Sequence, residues 1–154
     1  MIQVHWLSTS DKYRRDSDGY FWYVGRSDDM LKVSGVWVSP TEIEATLMEH
    51  DFVAEVAAVG RKGKDGLIKP VAWVVLRENL TGTPELERTL QDFVVGRLAV
   101  YKRPKWIEFT SSLPKTATGK IQRFTLRDND HAMRSAAEDA VYASPSDSPD
   151  LSAK

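Results

Sequence analysis

A ten-residue stretch near the end of the sequence carries the residues best suited to chemistry on an anion. It reads Pro114-Lys115-Thr116-Ala117-Thr118-Gly119-Lys120-Ile121-Gln122-Arg123 and is called the lysine loop below. Gly119 frees the backbone directly before Lys120, and a lysine ammonium is a compact charge on a flexible stem that can meet a carboxylate and a phosphate together. The loop is not a nucleotide-binding P-loop, because Pro114 stands where the first glycine belongs and Ile121 replaces the required Ser or Thr. On these ten residues alone, a solvated surface loop is the better interpretation.

The composition of the 154-residue chain excludes several classes of function. The formal net charge is −1, so no basic field favours nucleic acid or an anionic membrane. The absence of cysteine excludes disulfides, thiol catalysis and zinc–thiolate sites, and fits a reducing cytoplasm. The three histidines are far apart without ligand-spaced partners, so no metal site is expected from them. Because no apolar run approaches the ~20 residues of a transmembrane helix, we expect a cytoplasmic protein.

The N-terminal elements are predicted from alternation and from turn residues. Residues 2–6 alternate apolar and polar side chains, as a half-buried strand does. Asp18-Gly19 between apolar segments predicts a hairpin, because glycine tolerates the positive φ of such turns. A second hairpin is predicted to turn at Ser34-Gly35.

The remaining elements predict an α+β domain. Ser39 is a candidate N-cap, Pro40 suits the first helical position, and Glu42 completes a capping box for a helix that runs to about His50. A second helix is predicted to begin at Thr83. Buried strands are predicted at residues 53–59 and 71–76, and a last short strand is predicted at residues 106–109. We therefore expect two helices that cover one side of a small, largely antiparallel sheet.

Two further stretches precede the lysine loop in the sequence. One reads Gly25-Arg26-Ser27-Asp28-Asp29-Met30-Leu31-Lys32-Val33-Ser34-Gly35-Val36-Trp37-Val38-Ser39-Pro40-Thr41-Glu42-Ile43-Glu44, and the other reads Leu98-Ala99-Val100-Tyr101-Lys102-Arg103-Pro104. With the lysine loop, they resemble three motifs of the adenylate-forming enzymes, in the order found there. This superfamily includes acyl-CoA synthetases, peptide-synthetase adenylation domains and firefly luciferase. The sequence of residues 32–40 is most similar to that of benzoate–CoA and hydroxybenzoate–CoA ligases.

The resemblance covers residues from about Trp6 to Arg127 and implies a division of the chain. Residues 1–27 resemble the end of the large N-terminal adenylation domain with its linker hairpin, and residues 28–130 resemble the mobile C-terminal domain. Residues 131–154, rich in Ala, Ser, Pro and Asp, are predicted to be a disordered tail. Ser10 replaces the family's usual glycine before Asp11, so we expect that turn to be strained or altered.

The resemblance also implies roles for five residues. Lys120 matches the catalytic lysine that bridges the substrate carboxylate and the α-phosphate. Asp11 and Arg26 match residues that hold the ribose hydroxyls of the nucleotide, and a structural ion pair is an alternative or additional role for Arg26. Asp28 matches the hinge about which the small domain swings. Gly35 matches a glycine of the tunnel for the pantetheine arm of CoA, while a simple turn glycine is equally consistent with its surroundings.

As a whole, the resemblance implies part of an AMP-forming acid–CoA ligase. Such an enzyme converts a carboxylate, ATP and CoA to acyl-CoA, AMP and diphosphate, here with benzoate or a related aromatic acid. The family's phosphate-gripping loop, magnesium-holding glutamate and acyl pocket have no counterpart in the sequence, so the N-terminal adenylation domain is an expected partner and the chain alone is expected to be inactive. The alternative is a non-catalytic, stand-alone binding or remnant module of the same fold.

Overall fold

The structure, a computed structural model, describes the backbone of residues 10–142 and the side chains of residues 10–132. The strand predicted at residues 2–6 lies outside this range. Within the range, no helix is long and apolar enough to cross a membrane.

The first hairpin is confirmed and is organised by the carboxylate of one aspartate. Strand β1 (Asp11–Arg15) pairs antiparallel with β2 (Phe21–Arg26). Between them, Asp16 accepts hydrogen bonds from the backbone N–H of Asp18 at 3.0 Å and of Tyr20 at 2.9 Å, and from the indole Nε1 of Trp22 at 2.6 Å. One side chain therefore closes the turn and joins it to the second strand.

The second hairpin is also confirmed. It consists of β3 (Leu31–Val33) and β4 (Val36–Val38), paired antiparallel. Its two turn residues both have positive φ, 47° at Ser34 and 86° at Gly35, as a tight two-residue hairpin turn requires.

Helix α1 (Pro40–Met48) begins where the sequence predicts, but the predicted capping box is wrong. The Ser39 hydroxyl donates to the carbonyl of Val24 and makes no cap hydrogen bond. The Glu42 carboxylate pairs with Lys102 Nζ at 2.7 Å instead. Ser39 is buried beside β2, so a tertiary acceptor takes the place of the local one and ties the hairpin to the helix.

The central sheet contains one parallel pair that the sequence did not predict. Strands β5 (Val53–Lys62) and β6 (Ile68–Leu76) are antiparallel, and β7 (Trp106–Phe109) runs parallel to β6. Helix α2 (Pro84–Phe93), capped by the Thr83 hydroxyl, and a short 3-10 helix (Val100–Lys102) lie in the crossover between β6 and β7. A crossover brings the chain back in the same direction, which makes the last pair parallel.

Both faces of the sheet are covered, whereas the sequence predicted helices on one side. On the first face, side chains of α1 and α2 join the strands in one core, with Ile43, Leu47 and Leu90 fully buried. On the second face, Trp73 packs with Leu126 of α3 (Arg123–Tyr142) in a separate core.

Helix α3 continues past His131, where the sequence predicted a disordered tail to begin. Residues 132–138 contain Ala, Met, Arg and Glu, which are strong helix formers, and only one serine, so local propensity extends the helix. Residues 143–154 lie outside the described range.

A buried guanidinium fastens α3 to the sheet. Arg61 of β5 donates from Nε to both carboxylate oxygens of Asp130, at 2.8 and 2.9 Å, and from Nη1 to Glu108 at 2.7 Å. Its guanidinium carbon lies 5.0 Å from the centre of the Trp106 ring. Desolvation lowers the pKa of Arg61, but the hydrogen bonds and charges of Asp130 and Glu108 raise the pKa by more. The charge is therefore held in its ionised form although it is buried.

We predict that Asp130→Asn lowers the free energy of unfolding by about 3 kcal/mol, because breaking a buried ion pair leaves a poorly compensated charge. Urea denaturation followed by circular dichroism measures the change. A matched control is Glu55→Gln, which breaks the pair between Glu55 and Lys115, whose side chains are 40% and 39% exposed. The control should cost less than about 1 kcal/mol. Equal losses in the two variants would contradict the importance assigned to Arg61.

A second prediction concerns acid. The hydrogen bond from Trp22, opposed in part by desolvation and aided by backbone N–H groups, lowers the pKa of Asp16 below its usual 3.8. The contribution of Asp16 to the hairpin is therefore complete above pH 3.8 and is lost as the pH falls through the lower pKa of the folded chain. The indole N–H resonance of Trp22, followed by NMR, should titrate with a midpoint below pH 3.8, and in Asp16→Asn it should not titrate. A midpoint at or above 3.8 would contradict the hydrogen-bonding account.

Candidate functional site

A broad depression of about 880 Å³ lies between the first hairpin, the segment that follows it and the lysine loop. Four of the five residues that the resemblance singled out line it: Asp11, Arg26, Asp28 and Lys120. Gly35 is not among the lining residues. The fold thus brings together residues separated by more than ninety positions in the sequence.

The lysine loop is closed on itself by hydrogen bonds. The backbone N–H of Thr116 donates to the carbonyl of Lys120 at 2.8 Å, and the N–H of Gly119 donates to the carbonyl of Thr116 at 2.9 Å. The N–H of Lys120 donates to the hydroxyl of Thr116 at 3.1 Å. Gly119 has φ of +82°, which accounts for a glycine directly before the lysine. Thr116 therefore fixes the backbone of Lys120, and no carboxylate in the described part of the chain pairs with its ammonium.

Both ends of the lysine loop are held by the domain. Ile121 packs against the core on the second face of the sheet, which also contains Leu113. The N–H of Gln122 donates to the carbonyl of Pro114 at 2.8 Å, and Lys115 pairs with Glu55 at 2.7 Å. The base of the loop is therefore fixed, while Lys120 is exposed at its tip.

Asp11 and Arg26 lie opposite each other on the paired strands β1 and β2. A carboxylate that accepts and a guanidinium that donates are together suited to a pair of hydroxyl groups. Directly before Asp11, Ser10 has φ of +62°, and its carbonyl accepts from the N–H of Ser27 at 2.7 Å. The left-handed conformation of a non-glycine residue confirms the expected strain in this turn.

Asp28 lies in the turn between β2 and β3, beside the start of α3. Its carbonyl accepts from Arg127 Nη1 at 3.3 Å. Its neighbour Asp29 accepts from Arg123 Nη1, also at 3.3 Å. Both arginines line the depression, and sequence reasoning missed them. The available signal was spacing: Arg123 ends the lysine loop, and Arg127 follows at i+4 on the same helical face.

Gly35 lies at the tip of the β3–β4 hairpin, away from the depression. A Cβ built on it would have no atom within 4 Å, so its positive φ is the local reason for glycine. Near it, the exposed ring of Trp37 has Lys12 Nζ at 5.2 Å and Lys32 Nζ at 5.8 Å from its centre.

The charges in the depression suit a bound anion that also carries hydroxyl groups. Arg26, Lys120 and Arg127 supply cationic groups, and Asp11 supplies an acceptor. Across residues 10–132, no group of three or more His, Asp or Glu side chains is placed to hold a metal ion.

Comparison with known proteins shows the family. Residues 42–120 match the family model of the AMP-binding enzyme C-terminal domain. The chain is 52% identical to benzoate–CoA ligase of Thauera aromatica over 122 residues, which are 79% of this chain and 23% of that protein. It is 46% identical to 4-hydroxybenzoate–CoA/benzoate–CoA ligase of Rhodopseudomonas palustris over 124 residues, 80% of this chain and 23% of that protein.

Solved structures agree with this assignment. An anthranilate–CoA ligase in complex with anthranoyl-AMP superimposes with a TM-score of 0.77 at 53% identity, over 82% of this chain and 25% of the other. A benzoate–CoA ligase from Burkholderia xenovorans superimposes with a TM-score of 0.72 at 48% identity, over 81% and 24%. The predicted α+β class is confirmed by this likeness. The chain spans about a quarter of the length of these relatives, and it belongs to the AMP-binding enzyme C-terminal domain family.

Proposed function

We propose that this chain is the lysine-bearing C-terminal domain of an AMP-forming acid–CoA ligase. The observation that carries the proposal is the placement of Asp11, Arg26 and Lys120 around one depression, although they come from three separate parts of the sequence. The family match and the names of the relatives support the same reaction class. The N-terminal adenylation domain, ATP and CoA are the partners that this function requires.

In the first half-reaction, a carboxylate oxygen of the acid attacks the α-phosphorus of ATP. The bond from the α-phosphorus to the bridging oxygen breaks, diphosphate leaves, and an acyl-adenylate forms. Negative charge concentrates on the oxygens around the α-phosphorus, so a cation held there lowers the barrier. Lys120, with its backbone fixed by Thr116 and its ammonium without a carboxylate partner in the described range, is suited to this position.

Asp11 and Arg26 are assigned to the nucleotide. In this proposal the Asp11 carboxylate accepts hydrogen bonds from the ribose hydroxyls and the Arg26 guanidinium donates to them. Magnesium accompanies ATP in such reactions, but the described residues contain no cluster suited to hold it. We therefore assign the metal to the N-terminal domain and no step of the reaction to a metal ligand of this chain.

In the second half-reaction, the sulfur of CoA attacks the acyl carbonyl, and AMP leaves with the electrons of the acyl–phosphate bond. Gly35 is assigned to the passage for the pantetheine arm. Its position outside the lining of the Lys120 depression is consistent with a domain that turns between the two steps, so that each step uses a different surface. Asp28, in the turn between β2 and β3, is the proposed hinge.

The proposed acid is benzoate or a related aromatic carboxylate. The support is that the relatives are benzoate–CoA and hydroxybenzoate–CoA ligases and that an anthranilate–CoA ligase superimposes on the chain. Because ATP and CoA are intracellular metabolites, a cytoplasmic location forms part of the proposal.

Lys120→Ala should separate the two half-reactions in an enzyme that carries this chain as its C-terminal domain. Losing one preorganised charge costs a factor of about 10²–10³ in rate, so diphosphate release with benzoate and ATP should fall by that factor. Thioester formation from supplied benzoyl-adenylate and CoA should change little. Lys115→Ala is the matched control, since Lys115 lies in the same loop but pairs with Glu55. Near-normal diphosphate release in Lys120→Ala would refute the catalytic role, and a wild-type enzyme without turnover would favour a non-catalytic module.

Asp28→Pro should give the opposite separation. Proline fixes φ near −65°, which stops the turn from absorbing a rotation between domains. Among the described residues, the N–H of Asp28 donates no backbone hydrogen bond, so proline removes none. Adenylation should persist and thioester formation should collapse, while Asp28→Ala, which leaves φ free, should retain both. Equal loss of both half-reactions in Asp28→Pro would indicate a static role.

A further inference from the structure

Arg123 is both the last residue of the lysine loop and the first residue of α3, and it makes the most extensive charged contacts of the loop. Its Nε and Nη2 donate to Glu44 Oε1 at 3.1 and 3.0 Å, and Nη2 also donates to Glu44 Oε2 at 2.7 Å. Its Nη1 donates to Asp29 Oδ2 at 3.3 Å. One planar guanidinium therefore joins three segments: helix α3, helix α1 and the turn after β2. The five donors of a forked, planar guanidinium suit such contacts in two directions.

Glu44 is itself held in place. Its Oε1 accepts from the backbone N–H of Ala58 in β5 at 2.8 Å, and Ala58 is fully buried. The Glu44 side chain is 12% exposed and that of Arg123 is 20% exposed. The carboxylate is therefore a fixed reference point on the sheet, and the guanidinium bound to it is fixed as well.

The contact with the turn after β2 is reinforced one helical turn later. Arg127 donates to the carbonyl of Asp28, while Arg123 binds the carboxylate of Asp29. Residues at i and i+4 share one face of a helix. The first two turns of α3 thus contact both residues of the dipeptide Asp28-Asp29.

Within the lysine loop, a short stretch of backbone connects Lys120 to Arg123. Arg123 follows Lys120 by three residues, and the intervening backbone is fixed because the N–H of Gln122 donates to the carbonyl of Pro114 at 2.8 Å. No glycine or proline lies between Lys120 and Arg123 to absorb a displacement. A shift of Arg123 is therefore transmitted to Lys120.

We propose that Arg123 is a positioning residue that holds the lysine loop in register with α1 and with the turn after β2. The inference deepens the proposed function and rests on it for the role of Lys120. Through Glu44, Arg123 sets the distance of Lys120 from the sheet. Through Asp29, it ties the end of the loop to the turn after β2.

The first test measures the order of the loop without any enzymatic reaction. In the 154-residue chain, hydrogen exchange at residues 116–122 should accelerate by about tenfold in Glu44→Gln, because the loop loses its fixed partner. The matched control is Glu42→Gln, two residues away on the same helix, whose carboxylate pairs with Lys102 and not with Arg123. Its exchange at residues 116–122 should equal that of the wild type.

The second test measures the half-reactions in an enzyme that carries this chain as its C-terminal domain. Misplacing a catalytic group by about 1 Å costs up to about 10²-fold, so Arg123→Lys should lower diphosphate release by about tenfold to a hundredfold. Thioester formation from supplied benzoyl-adenylate should stay within about twofold of wild type, since Lys120 is not assigned to it. Asp29→Asn, which breaks one partly exposed ion pair, should lower diphosphate release by only about threefold.

The outcomes separate this inference from the proposed function. Unchanged exchange at residues 116–122 in Glu44→Gln overturns the positioning role, whatever the enzyme does. Equal losses of both half-reactions in Arg123→Lys also overturn it, because they indicate general destabilisation. Accelerated exchange in Glu44→Gln, together with a selective loss of diphosphate release in Arg123→Lys, supports it. The proposed function fails separately, when the wild-type enzyme forms no acyl-adenylate.

Discussion

The placement of α3 depends on the buried guanidinium of Arg61. A cation removed from water is tolerated only when its donors are paired, and here Asp130, Glu108 and the ring of Trp106 surround it. Because Asp130 belongs to α3 and Arg61 to β5, this contact fixes the helix over the second face of the sheet. Leu126, one turn earlier, then closes the core against which Ile121 packs, so the lysine loop emerges from a rigid base.

Elements whose signals are local were predictable from the sequence. Both hairpins follow from turn residues that accept positive φ, and β7 has the predicted bounds, with three apolar residues among its four. Contacts between distant residues were not predictable. The parallel pairing of β7 depends on the crossover from β6. The covering of the second face depends on α3, whose contact between Arg61 and Asp130 joins residues 69 positions apart. The Ser39 hydroxyl shows the same limit, because its acceptor on Val24 lies outside any local rule.

The candidate site also contains residues that were predictable from the sequence and contacts that were not. Asp11, Arg26, Asp28 and Lys120 were identified because their surrounding letters resemble family motifs, and the fold gathers them around one depression. Glu44 and Arg123 each belong to one of these motifs, yet nothing in the sequence indicated that they contact each other. Their contact spans 79 positions, and the contact between Arg123 and Asp29 spans 94. The i, i+4 spacing of Arg123 and Arg127 was available in the sequence, whereas the pairing of residues from different elements required the structure.

The first hairpin has a consequence for the behaviour of the chain in solution. All five residues of β1 are exposed, and Tyr13, Phe21, Trp22 and Tyr23 each keep more than half of their surface in water. Among the described residues, no third strand pairs with either edge of this two-stranded sheet. Strand edges and clustered aromatic rings are the surfaces through which chains adhere to one another. We therefore expect the hairpin, and not the melting of the core, to set the concentration at which copies of the isolated chain begin to associate.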